Sequence, residues 1–152
     1  VCSSDLLPEE AAKFPDGRRV DRWTAGSPLI WEGLAYVVDI YQWLYVIDLA
    51  TGQLTHHAPL ALEGFMHYNS VPVAASPTLV GSHIVVCDNQ GTAVVLEPGA
   101  VPRQVARNRI ETQLDRYQPL PAQETLTYAP PLCDGDRLYL RGERYLYCIG
   151  KD

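Results

Sequence analysis

The chain has 152 residues, 47% of them hydrophobic and 20% charged, with a formal net charge of −6. That length suits one domain or a piece of one, and that balance excludes a disordered chain. The negative charge argues against a nucleic-acid-binding surface, which needs a basic stripe, and no apolar run reaches the roughly 18 residues of a membrane span.

The chain opens on Val1–Leu6, VCSSDL, which has no helical or strand period and no basic-then-apolar secretion signal. In one reading frame the end of a short-read sequencing adapter translates to the same six residues. The segment therefore reads as an assembly scar, and the rest as a fragment whose upstream part was lost. Residues 1–22 are set apart as scar plus a residual linker or the end of a preceding unit, with Val20–Trp23 as a strand. The best helix candidate, Pro8–Phe14, is short.

Three related stretches follow: Ser27–Gly52, Ser76–Gly99 and Pro130–Gly150. Anchored on Pro28, Pro77 and Pro131, they align Leu44-Tyr45-Val46-Ile47 with Ala93-Val94-Val95-Leu96 and Leu146-Tyr147-Cys148-Ile149. The third copy is one residue shorter in a turn. Each copy predicts a first strand after the proline, at Leu29–Trp31, Thr78–Val80 and Leu132–Cys133. A second, aromatic or β-branched strand follows at Ala35–Val38, Ile84–Cys87 and Leu138–Arg141. The third is at Trp43–Ile47, Thr92–Leu96 and Tyr145–Ile149. Gly91 and Gly52 suit left-handed turn positions, and Asp48 can cap its own turn. More polar fourth strands run through Gln53–Leu60 and Gln104–Ile110.

Runs such as Val37-Val38 and Val94-Val95-Leu96 are apolar on both sides, so these sheets should be covered on both faces. Four antiparallel strands repeated every 50 residues or so, each sheet between two others, describe β-propeller blades. The predicted fold is all-β, a partial propeller of about three four-stranded antiparallel blades in an open ring. The blades fall at about 23–60, 70–110 and 127–150 within a unit covering 23–152.

Chemistry-bearing residues are few. Cys2 lies in the adapter-like segment, and Cys87, Cys133 and Cys148 form no CxxC pair, so they read as buried free thiols. His56 and His57 are adjacent on a strand and point to opposite faces, which suits a solvated outer strand rather than a metal site. Asp39 and Asp88 fall at equivalent strand ends, which suits a turn role. Arg103, Arg107, Arg109 and Arg116, interrupted by Glu111 and Asp115, read as charge alternation on an exposed outer strand. No phosphate loop or nucleophile elbow is present. The reading therefore assigns no catalytic, cofactor-binding or metal residue.

Strand alternation sends the second-to-third turns and the interblade segments out on one face. That face gathers Gln42, Asn89, Gln90 and Arg144 with the segments Ala61–Ala75 and Glu111–Ala129. The first of these carries His67, Tyr68 and Asn69. Repeat proteins place insertions on their binding face, so these seven residues are the binding candidates for a protein or small-molecule ligand.

The pattern Ser27-Pro28, Leu44-Tyr45-Val46-Ile47-Asp48 and Ala50-Thr51-Gly52, with the ending Arg141–Gly150, resembles the PQQ-like β-propeller repeat. Quinoprotein dehydrogenases and the outer-membrane assembly lipoprotein that shares their fold carry this repeat. The resemblance covers about residues 23–150 and speaks to fold, which hosts unrelated activities. It implies an extracytoplasmic, bacterial setting, with the remaining blades of the full-length chain as partners. The chain lacks the adjacent cysteine pair of the dehydrogenases and the Trp after the Thr-Gly turn. The expected function is thus a non-catalytic binding or scaffold module without a cofactor. The alternative is part of a quinoprotein oxidoreductase holding pyrroloquinoline quinone (PQQ) with calcium.

Overall fold

The computed structural model describes residues 24–64, 66, 71–110, 129–142 and 145–150. Predicted features in 1–23, including the Val20–Trp23 strand, lie outside the described residues.

Among the described residues eleven strands form three antiparallel meanders. The first blade is β1 (Leu29–Trp31), β2 (Leu34–Val38), β3 (Trp43–Asp48) and β4 (Leu54–Pro59). The second is β5 (Thr78–Val80), β6 (His83–Cys87), β7 (Thr92–Glu97) and β8 (Arg103–Arg109). The third comprises β9 (Leu132–Asp134), β10 (Arg137–Arg141) and β11 (Leu146–Ile149), three strands among the described residues. Every strand expected from the repeats is present, shifted by at most one or two residues at an end.

Register explains why apolar runs suit these sheets. Alternate residues face opposite sides. Leu44 and Val46 of β3, with Tyr36 and Val38 of β2, pack against Ile84, Val86, Val94 and Leu96 of the second blade in one buried cluster. The other side of the second blade presents Val85, Cys87 and Ala93, which pack with Leu140 of the third, joined by Leu138 and Tyr147. The second blade is thus covered on both faces by its neighbours, as a propeller requires. The two seams differ in bulk. Where the first blade offers Tyr36, Val38 and Leu44, the second offers Val85, Cys87 and Ala93 at the repeat-equivalent positions.

A polar tie crosses the first seam. The buried Tyr36 hydroxyl accepts a hydrogen bond from Gly99 N at 2.9 Å, and burial raises its pKa. Both outer strands carry a β-bulge at the same place. The ladder steps from Val46↔His56 to Ile47↔Leu54 and from Val95↔Ala106 to Leu96↔Gln104, leaving Thr55 and Val105 as the extra residues.

The open ring leaves one blade face uncovered, and two other expectations need correction. The third blade is not covered on both faces among the described residues. Leu146 is 67% exposed and Leu132 65%, whereas Leu44, repeat-equivalent to Leu146, is 1% exposed. No described sheet lies against that side. Cys148 lies on that uncovered side and is exposed; Cys133 is exposed too, although it shares with Leu138 the side turned to the second blade, while Cys87 is buried; all three are free thiols. Burial pushes the Cys87 thiol up to about 12, so it stays protonated at neutral pH. His57 is only partly solvated. It is half-buried, stacked 4.6 Å from Trp43 and 4.7 Å from Tyr45, because pairing opposite Tyr45 sets it on the aromatic face of β3.

Candidate functional site

The β2–β3 and β6–β7 turns are built alike around a carboxylate. Asp39 Oδ1 accepts from Tyr41 N and Trp43 N, both at 2.9 Å, and its Oδ2 from the Tyr45 hydroxyl at 2.9 Å. Asp88 Oδ1 accepts from Gln90 N and Thr92 N, both at 2.8 Å. In each blade the aspartate amide also closes the turn, Asp39 N on Trp43 O and Asp88 N on Thr92 O. The third blade has Gly142 there, and its N–H reaches Tyr145 O across one residue fewer, as its shorter repeat requires. Both aspartates are buried, and Oδ1 of each is committed to its turn, the role expected of them.

The remaining Asp88 oxygen reaches beyond its own turn. Asp88 Oδ2 accepts from Glu63 N at 2.7 Å, tying the interblade segment to the second blade. That segment is held at several more points. Leu60 N donates to Gln42 O, Gln42 Nε2 donates to Gly64 O at 2.8 Å, and Asn89 N donates to Pro72 O at 2.9 Å. A Cβ on Gly64 would sit 2.9 Å from Pro72 O and 3.0 Å from Asp88 Cβ. Residues 64 and 72 are therefore pressed together at a narrow neck. Only glycine fits that neck without backbone movement.

Among the predicted binding residues, Gln42 and Asn89 flank this neck, and Gln90 shares the Asp88 turn. Gln90 Nε2 bonds Asn89 O, and the Asn89 residue is buried. His67, Tyr68, Asn69 and Arg144 lie outside the described residues. The other long segment starts at the same end, where Ile110 N donates to Gly91 O.

Gln42 has a feature the sequence reading missed. Its φ is +73°, the left-handed region that disfavours side chains, and its repeat-equivalent is Gly91 at +83°. Aligning the copies residue by residue through the turn would have shown it. The side chain holds Gly64, and its Oε1 is buried without a partner among the described residues. Gln42→Gly relieves the backbone but loses the Gly64 bond, whereas Gln42→Ala loses the bond and keeps the strain. The glycine variant should be more stable than the alanine variant by about 1 kcal/mol in urea titrations.

At the same end, a cleft of about 310 Å³, open mouth included, runs between the second and third blades. Pro72, Cys87, Asp88, Asn89, Leu140 and Arg141 line it. It lies on the seam with the smaller residues, and its enclosed room of about 10 Å³ takes no more than a water molecule. Among the described residues no cluster of three or more His, Cys, Asp or Glu could hold a metal ion.

No family model and no curated protein matches the chain. Solved structures do. BamB from Moraxella catarrhalis aligns with a TM-score of 0.56 and 16% identity over 88% of this chain and 35% of its own. Quinohemoprotein alcohol dehydrogenase from Comamonas testosteroni aligns with a TM-score of 0.56 and 16% identity over 80% of this chain and 17% of its own. The chain thus spans about a third of the first and a sixth of the second. Likeness at this identity speaks to architecture alone, and with the repeated meanders above it shows that the chain has the fold of a partial PQQ-like β-propeller.

Proposed function

We propose that this chain is a non-catalytic binding or scaffold module, part of a larger bacterial propeller protein outside the cytoplasm. Its ligand, a protein or a small molecule, engages the end bearing the long segments. The observation that carries this reading is the neck. Gly64 and Pro72, which bracket Phe65, His67, Tyr68 and Asn69 in the sequence, are fastened by Gln42 and Asn89, and Asp88 holds Glu63 beside them. Rigid scaffolds that present loops in this way are the usual home of recognition residues. The likeness to BamB fits this reading. No described helix is long and apolar enough to cross a membrane. The bare face of the third blade supports a further blade packing there in the full-length protein.

The rival reading, part of a PQQ-dependent quinoprotein, draws on the equal likeness to the alcohol dehydrogenase. The residues of this chain do not fit the group. The sequence has no adjacent cysteines, and the described residues offer no calcium-holding cluster.

The two readings separate in one experiment on the chain and its His67→Ser/Tyr68→Ser variant. Immobilised chain should retain a protein from a periplasmic extract that the variant releases. Incubation with PQQ and calcium should leave no quinone absorbance after gel filtration. Quinone that stays bound, with no protein retained, overturns the proposal.

A further inference from the structure

Arg107 and Arg109 converge on a single carboxylate. They sit on the same face of β8, opposite Val94 and Thr92. Arg107 Nη2 donates to Glu63 Oε1 and Arg109 Nη1 to Glu63 Oε2. Arg107 Nε is fixed separately on Ala61 O at 2.8 Å, which aims the rest of its guanidinium at the same point. The cluster is half-open to solvent, with side-chain exposures of 40%, 41% and 39% for Arg107, Arg109 and Glu63. Two guanidinium groups against one carboxylate leave one positive charge in excess.

This arrangement is not a requirement of the blade. The repeat-equivalent residues on β4 are His57 and Pro59, paired with Tyr45 and Trp43. Nor is it needed to hold the interblade segment, which is already fastened through Leu60 N, Glu63 N and Gly64 O. Ion pairs this exposed add little stability. What remains distinctive is the geometry: two planar forks, one braced, both pointed at a pair of acceptor oxygens. Such forks match tetrahedral oxyanions as well as carboxylates, and a dianion answers the excess charge better than Glu63 does.

We propose that Arg107 and Arg109 form a binding site for a phosphate-type oxyanion, occupied by the Glu63 carboxylate as an internal stand-in. Binding requires Glu63 to swing out, so the anion and the side chain compete for the same donors. The backbone fastenings stay in place.

The test is a titration of inorganic phosphate into Glu63→Gln, at ionic strength held constant with chloride, following the Arg107 and Arg109 Nε–H resonances. Saturable shifts of both are expected at millimolar phosphate. Wild type should need about tenfold more phosphate, the factor expected from two displaced surface ion pairs. Glu63→Ala should behave as Glu63→Gln, which guards against a distorted glutamine form. Adding Arg107→Gln and Arg109→Gln to Glu63→Gln should abolish the response, while circular dichroism reports an intact fold. Absence of saturation in both Glu63 variants overturns the proposal. So does equal affinity in wild type and Glu63→Gln, or a response that survives loss of both arginines.

Discussion

Asp88→Ala should destabilise the chain by about 3–5 kcal/mol, read as a fall in the urea midpoint at unchanged slope. The carboxylate is buried and satisfies three backbone N–H groups, those of Gln90, Thr92 and Glu63. Alanine strands all three, and a buried unsatisfied donor costs about 1–3 kcal/mol, less whatever water can reach. Asp88→Asn separates the two functions of the side chain. An oxygen in the Oδ1 position still accepts from Gln90 and Thr92, so the turn survives. The amide NH2 then faces Glu63 N–H, donor against donor. The asparagine variant should therefore lose about half as much stability, with earlier proteolysis in the interblade segment. Equal losses in the two variants would mean that the tie to Glu63 contributes nothing.

The second large effect compares one repeat position in two blades. Leu44→Ala should cost about 3 kcal/mol, because the side chain is 1% exposed and sealed between two sheets, where a cavity cannot collapse. Leu146→Ala, at the equivalent position, should change stability by no more than about 0.5 kcal/mol, since that side chain is 67% exposed. The gap between the two measures what a neighbouring sheet contributes at this position. In a longer chain that lays another sheet against the third blade, the Leu146 value should climb towards that of Leu44. Chemical denaturation of both variants, in this chain and in a longer one, checks the point.

The strands were legible in the sequence because their signals are local. Proline, a Gly or Asp turn and a β-branched run recur at Pro28, Pro77 and Pro131, and each copy folds into a meander by contacts within itself. The turn role of Asp39 and Asp88 was legible for the same reason. What could not be read lies between copies. Nothing near Glu63 announces that residues 44 and 46 positions later will hold it. Arg107 and Arg109 looked like charge alternation because their partner sits in another blade's outgoing segment. The stacking of His57 was hidden because the Thr55 bulge, which shifts the register just before it, involves no glycine. Cys148, read as buried, came out exposed because a strand's composition cannot say whether a sheet lies over it; Cys133 is exposed although its side is turned to the second blade.

The bulges at Thr55 and Val105 bear on how the protein behaves in concentrated solution. Each interrupts the hydrogen-bonding rhythm of an outermost strand near its start, at the second residue of β4 and the third of β8. A second molecule approaching rim to rim could match the spacing of donors and acceptors for two or three residues and would then fall out of step. Arg103, Arg107 and Arg109 line one of these rims and Pro59 ends the other, so the mismatch is backed by charge on one side and a missing donor on the other. Both rims are therefore poor templates for an added strand.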